Sequence, residues 1–225
     1  MTIEPGGSEC SAERTAAASQ GTSPQASERC WLTQFAHTPL DGVRLITTKR
    51  FEDDRGFFSE IFVAEGFAQQ GIRFTCVQDN HVLSRKPYTL RGIHYQIAPC
   101  SQAKLVRVIR GSALDVAIDV RRGSPTFGRF VTAHLSRENW TQMLIPAGFA
   151  HAILNLEPDT EFTYKVTAPY SPKHERGIRF DDPDLAIPWG VPHDQIIVSG
   201  RDREMPYLKD QTDLPEMAAT PPAGG

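Results

Sequence analysis

The sequence predicts an all-β protein in which antiparallel strands form a sandwich or a barrel. Between residues 40 and 170, short apolar stretches with a period of two residues recur along the chain, as in LRGIHYQ and TEFTYKV. Turn-forming residues separate these stretches at regular intervals, which is typical of antiparallel all-β folds. A single short helix is predicted, over VAEGFAQQG at 63–71, and no repeat of fixed period is found.

The stretches predicted as strands follow one another from the first turn to residue 170. They are GVRLITTKRF, GFFSEIFV, FTCVQDNHV, TLRGIHYQ, AKLVRVIRGSALDVAIDV, RFVTAHLS, TQMLIPAGFAHAILNL and TEFTYKVTAPY. Within the fifth stretch, IRGS at 109–112 is predicted to be the turn of a hairpin. With 225 residues, 40% of them hydrophobic, the chain can bury one sizeable core.

Ionisable side chains share predicted strand faces with apolar ones. Lys104 shares a face with the two valines of KLVRV, and Tyr164 shares one with Phe162. If such faces line the interior, Lys104, His94 and Glu60 point into a cavity, where they need partners, bound anions or water. The pattern favours a pocket for a charged polar ligand. Taken singly, each residue has an ordinary structural interpretation, and only their occurrence together favours a binding pocket.

Arg91 and His94 lie close together in TLRGIHYQ. Strict alternation places Leu90, Gly92 and His94 on one face and Arg91 on the other. Two explanations stay open for this arginine. Either Arg91 reaches the site of a neighbouring subunit, or a bulge at Gly92 turns the strand.

The two ends of the chain differ in composition from the middle. The first 30 residues are rich in Ser, Ala, Gly and Thr and contain almost no large apolar side chains, and the last residues, EMAATPPAGG, are similar. Such segments bury too little apolar surface to offset the entropy of ordering them. We therefore predict flexible tails over 1–30 and 213–225 and one domain over 31–212.

Charge, hydropathy and cysteine spacing argue against several classes of protein. The net charge of −3 provides no basic field for nucleic acid. No stretch approaches the roughly 20 apolar residues of a spanning helix, and the N-terminus does not resemble a signal peptide. The four cysteines show no C-x-x-C spacing. We expect a cytoplasmic protein without a disulfide framework, a cysteine zinc site, or membrane or nucleic-acid partners.

The stretch IPAGFAHAILN at 145–155 has the P-x-G-x-x-H-x-x-x-N spacing of the second motif of cupin barrels. In cupins the histidine of this motif, here His151, is commonly a metal ligand together with an H-x-H pair. The obvious candidate for that pair reads His94-Tyr95-Gln96. Because imidazole-rich sites normally use three or more protein ligands, no metal is expected, and His151 is expected to contact an anion.

Eight ordered blocks resemble the dTDP-4-dehydrorhamnose 3,5-epimerase family across roughly residues 40–210. They are FEDDRGFFSEIF, QDNHVLS, LRGIHYQ, AKLVRV, DVRRGSPTFG, IPAGFAHAILN, YKVTAPYSPKHERGIRFDDPDL and VSGRDREMP. The resemblance implies a metal-free cupin-type jelly-roll barrel of antiparallel strands with short helices at its ends. It also implies a homodimer without a cofactor, acting on a dTDP-linked 4-keto-6-deoxyhexose.

The resemblance implies four catalytic residues. His94 resembles the general base, and Asp202 the carboxylate that orients it. Tyr164 resembles the general acid on the opposite face of the sugar, and Lys104 lies near the ketone oxygen. These types suit the chemistry, because C3 and C5 both flank the C4 ketone and loss of either proton gives an enolate that a cation stabilises.

The resemblance also implies a set of substrate contacts. Arg55, Arg91 and His151 resemble diphosphate binders, while Glu60, Gln78 and Asn80 resemble contacts to the nucleotide or sugar. The remaining two are Phe58, an apolar wall, and Tyr170, which either shapes the sugar pocket or packs.

Three functions stay open at this point. The first is the 3,5-epimerase, and the second is a relative that inverts C3 alone, which would use the same catalytic residues. The third is a non-catalytic or metal-binding cupin. Val82 stands where the family often shows a serine, which leaves the preferred nucleotide base less certain than the chemistry.

Overall fold

The structure is a computed structural model that describes residues 33–217. The strands of this part of the chain are β1 Thr33–His37, β2 Arg44–Thr48, β3 Phe51–Asp53, β4 Gly56–Phe58, β5 Gln78–Ser84, β6 Leu90–Gln96, β7 Lys104–Arg110, β8 Ser112–Asp119, β9 Phe130–Ser136, β10 Thr141–Ile145, β11 Phe149–Asn155, β12 Thr160–Val166 and β13 Glu175–Gly177. The helices are α1 Ala64–Gln69 and α2 Gly200–Arg203, with 3-10 turns at His193–Gln195 and Leu208–Asp210.

Two antiparallel sheets face each other and form a jelly-roll barrel. One sheet has the strand order β1-β2-β10-β7-β12-β5, and the other has the order β13-β6-β11-β8-β9. β3 and β4 form a separate hairpin. The predicted all-β fold with short helices is therefore confirmed, and the predicted helix at 63–71 is α1.

The core has three layers, because apolar side chains lie on both faces of each sheet. Between the sheets, a cluster that includes Val106, Met143 and Phe162 fills the barrel. The outer face of the five-stranded sheet is covered by the C-terminal segment, including Trp189. On the outer face of the six-stranded sheet, Phe67 of α1 packs in a cluster with residues of β2, β7 and β10.

A bulge in β6 determines which side chains of TLRGIHYQ face the barrel interior. His94 pairs with His151 of β11, whereas Arg91 pairs with Ile153, so two residues of β6 oppose the single residue between these pairs on β11. Gly92, with φ +119°, lies in this bulge, and an added Cβ would be 2.6 Å from the carbonyl oxygen of His151. Glycine therefore permits the close approach of the two strands.

The bulge corrects the predicted faces of β6. Leu90 packs in the outer cluster together with Ile93 and Tyr95, and not on the face of His94. Arg91 and His94 instead line the same interior cavity. The prediction from strict alternation is wrong here because the extra residue shifts the strand by one position, and the bulge explanation for Arg91 is confirmed.

The predicted hairpin at IRGS is also wrong. β7 belongs to the six-stranded sheet and β8 to the five-stranded sheet, and the two do not pair. The chain turns at Gly111, φ +72°, and crosses from one sheet to the other. The alternation locates both strands but carries no information on their partners.

The predicted tails lie largely outside the described residues. Residues 213–217, predicted as the start of a tail, run beside the barrel, where the Tyr95 hydroxyl donates to the carbonyl of Asp213 and the Arg122 amide donates to that of Pro215. The division into one domain and two tails stays a prediction. Within residues 33–217, no helix has the length and hydropathy needed to cross a membrane, and Cys76 and Cys100 are free thiols.

Candidate active site

One cavity between the two sheets brings together five of the predicted site residues. It has a volume of about 180 Å³ and is lined by Val82, Arg91, His94, Lys104, His151, Ile153, Phe162 and Tyr164. β6 and β11 contribute from one sheet, and β5, β7 and β12 from the other. Polar groups therefore face this cavity from two sides.

His94 and Asp202 form a hydrogen-bonded pair at this cavity. Nε2 of His94 is 2.7 Å from Oδ1 of Asp202, which lies on α2. The helix begins after Ser199, whose side chain accepts a hydrogen bond from the Asp202 amide at 3.0 Å. Burial alone would raise the pKa of Asp202, but the His94 hydrogen bond and nearby positive charge outweigh it and hold this pKa below its ordinary value.

An ionised Asp202 determines which nitrogen of His94 can act as a base. Since a carboxylate only accepts hydrogen bonds, Nε2 of His94 carries the proton and donates it. The second nitrogen, Nδ1, then holds the free electron pair. A neutral imidazole held in this way is suited to abstract a proton near neutral pH.

Tyr164 and Lys104 face the cavity from the opposite sheet. Their strands β12 and β7 are neighbours, with Tyr164 beside Val106 and Lys104 beside Val166. Burial raises the pKa of Tyr164, so its hydroxyl keeps its proton at neutral pH. Burial lowers the pKa of Lys104 to about 8, although the charges of nearby carboxylates partly offset it. Tyr164 can therefore donate a proton and Lys104 can stabilise an oxyanion.

His151 forms a second histidine–aspartate pair with Asp115 of β8. Nε2 of His151 is 2.6 Å from Oδ1 of Asp115, and the Asp115 side chain is fully buried. Burial lowers the pKa of His151, while the charge and hydrogen bond of Asp115 act in the opposite direction. Arg91 adds a permanent positive charge and donates hydrogen bonds to Ser84 Oγ and to the Leu83 carbonyl.

A second cavity adjoins the first at Tyr164. It has a volume of about 280 Å³ and is lined by Gln78, Asn80, Gln102, Tyr164 and Tyr170. Gln78 donates to the Asn80 side chain at 2.7 Å and accepts from the Tyr170 amide at 3.0 Å. Tyr170 is 50% exposed and lines this cavity, and its role towards the substrate stays a prediction.

Three predicted substrate contacts line neither of these two cavities. Arg55 and Phe58 lie on the β3–β4 hairpin and line a separate cavity there. The Arg55 guanidinium is exposed and pairs with Asp53, and Phe58 is 65% exposed. Glu60 follows the hairpin and is half-buried. Their roles stay predictions.

Three ionisable residues at the site were missed by the sequence analysis. Asp115 contacts His151, while Glu175 of β13 pairs with Arg201 of α2 at 2.5 Å and accepts from the Tyr170 hydroxyl at 3.0 Å. The signal for Asp115 was an acidic residue in the otherwise apolar run ALDVAI. Glu175 and Arg201 follow the barrel strands in loop-rich sequence, where strand periodicity gives no orientation.

The position of the absent cupin histidine has a structural role. Gln96 donates to the carbonyls of Cys100 and Pro169 and accepts from the Ser171 amide, so it ties two loops to the barrel. Within residues 33–217, no group of three or more His, Cys, Asp or Glu side chains is arranged to hold a metal ion.

A jelly-roll barrel whose cavity holds a histidine–carboxylate pair opposite a tyrosine and a lysine defines a cupin-type enzyme equipped for proton transfer at carbon. The chain belongs to the dTDP-4-dehydrorhamnose 3,5-epimerase family, whose model matches residues 37–210. The dTDP-4-dehydrorhamnose 3,5-epimerase of Sinorhizobium fredii is 47% identical over 174 residues, which cover 77% of this chain and 89% of that protein.

Solved structures show the same relationship. The dTDP-6-deoxy-D-glucose-3,5-epimerase of Legionella pneumophila, in complex with dTDP-4-keto-L-rhamnose, has a TM-score of 0.79 and 40% identity, covering 83% of this chain and 100% of that one. A 3′-monoepimerase from Streptomyces bikiniensis, in complex with dTDP-quinovose, has a TM-score of 0.74 and 35% identity, covering 80% of this chain and 91% of that one. The predicted family is therefore confirmed, and with it the cupin-type jelly roll.

Proposed function

We propose that this protein is a dTDP-4-dehydrorhamnose 3,5-epimerase, which converts dTDP-4-dehydro-6-deoxyglucose to dTDP-4-dehydro-L-rhamnose. The observation that carries the proposal is the single cavity in which the His94–Asp202 pair faces Tyr164 and Lys104 from the opposite sheet. The family membership and the ligand of the Legionella structure support the substrate.

Proton abstraction is the first step. Nδ1 of His94 takes the proton from C3 or C5, and the electrons of that C–H bond form a double bond to C4 while the C4 oxygen becomes negative. Lys104 stabilises this oxyanion, and Asp202 stabilises the positive charge that forms on the His94 ring. Preorganised charges of this kind are usually the largest contribution to such a rate enhancement.

Protonation from the other side completes the inversion. The Tyr164 hydroxyl gives its proton to the same carbon, and the C4 ketone forms again. Return of the proton from His94 would restore the starting configuration, so the acid has to lie on the opposite face of the sugar. The opposed sheets that carry His94 and Tyr164 support this assignment, and exchange with solvent resets both residues.

The two cavities that meet at Tyr164 provide polar side chains for the rest of the substrate. Arg91 lines the catalytic cavity beside His151, and its permanent positive charge suits a diphosphate. Gln78, Asn80 and Tyr170 line the adjoining cavity, which suits the nucleotide or the sugar. The proposed enzyme needs no metal or cofactor, because the substrate ketone itself stabilises the carbanion. We also propose that the enzyme works in the cytoplasm.

We also propose a homodimer, in which the β3–β4 hairpin of one subunit completes the site of the other. Arg55 and Phe58 lie on this hairpin, and their exposure supports a partner there. Phe51 and Phe57, also on the hairpin, are 41% and 54% exposed. Burying such aromatic side chains is a strong driving force for association.

The test of the activity is product analysis by NMR after incubation with dTDP-4-keto-6-deoxyglucose. Inversion at both C3 and C5 supports the 3,5-epimerase. The similarity to a 3′-monoepimerase makes a 3-epimerase the second candidate, and a product inverted at C3 alone would identify it. An unchanged substrate with folded protein would contradict both.

A further inference from the structure

Asp115 is a fully buried carboxylate that the proposed mechanism does not use. Its Oδ1 is 2.6 Å from Nε2 of His151 on the neighbouring strand. Its Oδ2 is buried and has no hydrogen-bond partner within residues 33–217. A carboxylate buried in this way is strongly unfavourable unless nearby cations or donors offset its charge. Packing alone does not explain it.

The cavity contains two histidine–aspartate pairs at different depths. His94 and His151 are directly opposite each other in the register of β6 and β11, and both line the cavity. In the His94–Asp202 pair the two side chains are 25% and 8% exposed. In the His151–Asp115 pair they are 9% and 0% exposed. The second pair therefore has little contact with bulk water.

The charge of Asp115 acts on two groups of the site. It raises the pKa of Lys104 and that of His151, in each case against the effect of burial. Glu175 also raises the pKa of Lys104, and both Lys104 and His94 lower that of His151. The other charged or titratable groups of the two cavities and their rims are Arg91, Asp202, Tyr164, Tyr170 and Arg201.

We propose that Asp115 is a positioning residue of the epimerase site, which holds a proton on Nε2 of His151 and, behind the cavity that His151 and Lys104 share, acts as an anionic neighbour of Lys104. Nδ1 of His151 is then the ring atom available to the substrate, and Lys104 stays positively charged at working pH. The catalytic part of this inference rests on the proposed function. The proton position on His151 does not, and it can be measured in the free protein.

The first test replaces the charge of Asp115 and keeps its shape, as Asp115→Asn. We expect kcat to fall by roughly tenfold to a hundredfold, because His151 loses its fixed orientation. We also expect the alkaline limb of the pH profile to move to lower pH by about one unit or more, because Lys104 loses an anionic neighbour. A merely structural role would not move the pH profile.

Asp119→Asn is the matched control. Asp119 lies on the same strand and is also fully buried, but its carboxylate accepts hydrogen bonds from Arg121, Ser124 and Thr126. We expect this variant to lose stability and to keep the wild-type pH profile. A folded Asp115→Asn with an unchanged profile would overturn the proposal.

The second test is the ¹⁵N NMR spectrum of the histidine rings in the wild-type protein, with His151 assigned by its loss in His151→Asn. The proposal predicts an Nε2–H tautomer for His151 near neutral pH, and an Nδ1–H tautomer would overturn it. If Asp115→Asn does not fold, this spectrum still shows which nitrogen of His151 carries the proton. If the wild type shows no epimerase activity, the proposed function fails, whereas the spectrum still supports or overturns the pairing of Asp115 with His151.

Discussion

At the scale of single residues, the chemistry depends on where a few protons lie. Asp202 is ionised and holds the proton of His94 on Nε2, so Nδ1 is the basic atom. Tyr164 keeps its proton because burial raises its pKa, and Lys104 has a pKa of about 8 because burial lowers it. The same cavity therefore contains a base, an acid and a cation at neutral pH.

Replacing Tyr164 by phenylalanine should slow inversion much more than proton loss. The variant removes the proposed acid but leaves His94 in place, so we expect a drop in inversion of about 10²- to 10⁴-fold. Deuterium uptake from heavy water, measured together with product formation, separates the two steps. Tyr95→Phe is the control, since the Tyr95 hydroxyl binds Gln211 and Asp213 outside the cavity. Full-rate inversion by Tyr164→Phe would show that another group is the acid.

The pH dependence of kcat should show a loss of activity above about pH 8. The pKa of Lys104 is lowered to about 8, so its stabilising charge is present below this pH and disappears as the pH rises through it. Lys104→Arg keeps a positive charge at higher pH. We expect the alkaline limb of this variant to lie at higher pH than in the wild type, whatever its maximal rate. Superimposable limbs would mean that Lys104 is not the titrating group.

At the scale of the elements, the bulge in β6 brings Arg91 and His94 to one cavity. Sequence alternation predicted strands at β5, β6, β7 and β12, and it placed Lys104 and Tyr164 on interior faces. It left a bulge at Gly92 as one of two alternatives, because a bulge depends on how closely β11 approaches Gly92. For the same reason the partners of β7 and β8 were not predictable, since pairing is a property of distant segments.

Gly92→Ala should be strongly destabilising. An added Cβ would be 2.6 Å from the His151 carbonyl oxygen and 2.8 Å from Cα of Ala152, at a φ of +119° that L side chains rarely adopt. Overpacking and backbone strain together should lower the free energy of unfolding by about 2–5 kcal/mol, measured with denaturant. Gly190 has a φ of +77°, but a Cβ added there would meet no atom within 4 Å. Gly190→Ala should therefore lower the free energy of unfolding clearly less. Equal losses would show that contact with β11 is unimportant.

At the scale of the whole molecule, the described chain does not bring every predicted site residue to one cavity. His94, Lys104, His151 and Tyr164 converge because the two sheets enclose them, and the sequence motifs identified all four. Arg55 lies on a hairpin with its own cavity, away from His94. Nothing in the period of a strand tells which subunit a hairpin serves, so the sequence could not predict whether Arg55 and His94 of one chain share a site.

The proposed dimer predicts complementation between two impaired variants. Light scattering should give about twice the chain mass of 25.0 kDa. If Arg55 serves the site of the partner subunit, mixing Arg55→Ala with His94→Ala under subunit exchange restores one of the two sites in each mixed dimer. Because about half of the dimers in an equal mixture are mixed, the mixture should regain about a quarter of the wild-type activity. Mixing without exchange is the control. No recovery from verified mixed dimers would place Arg55 outside the partner's site.

The proposed single-base mechanism is tested by deuterium uptake at C3 and C5 of dTDP-4-keto-6-deoxyglucose in heavy water, followed by proton NMR for the wild type and for His94→Ala. We expect uptake at both carbons with the wild type and loss of both with His94→Ala, because one base is proposed to serve both positions. Uptake that persists at either carbon in the folded variant would contradict the single-base mechanism. Absence of uptake with the wild type would contradict the proposed reaction itself.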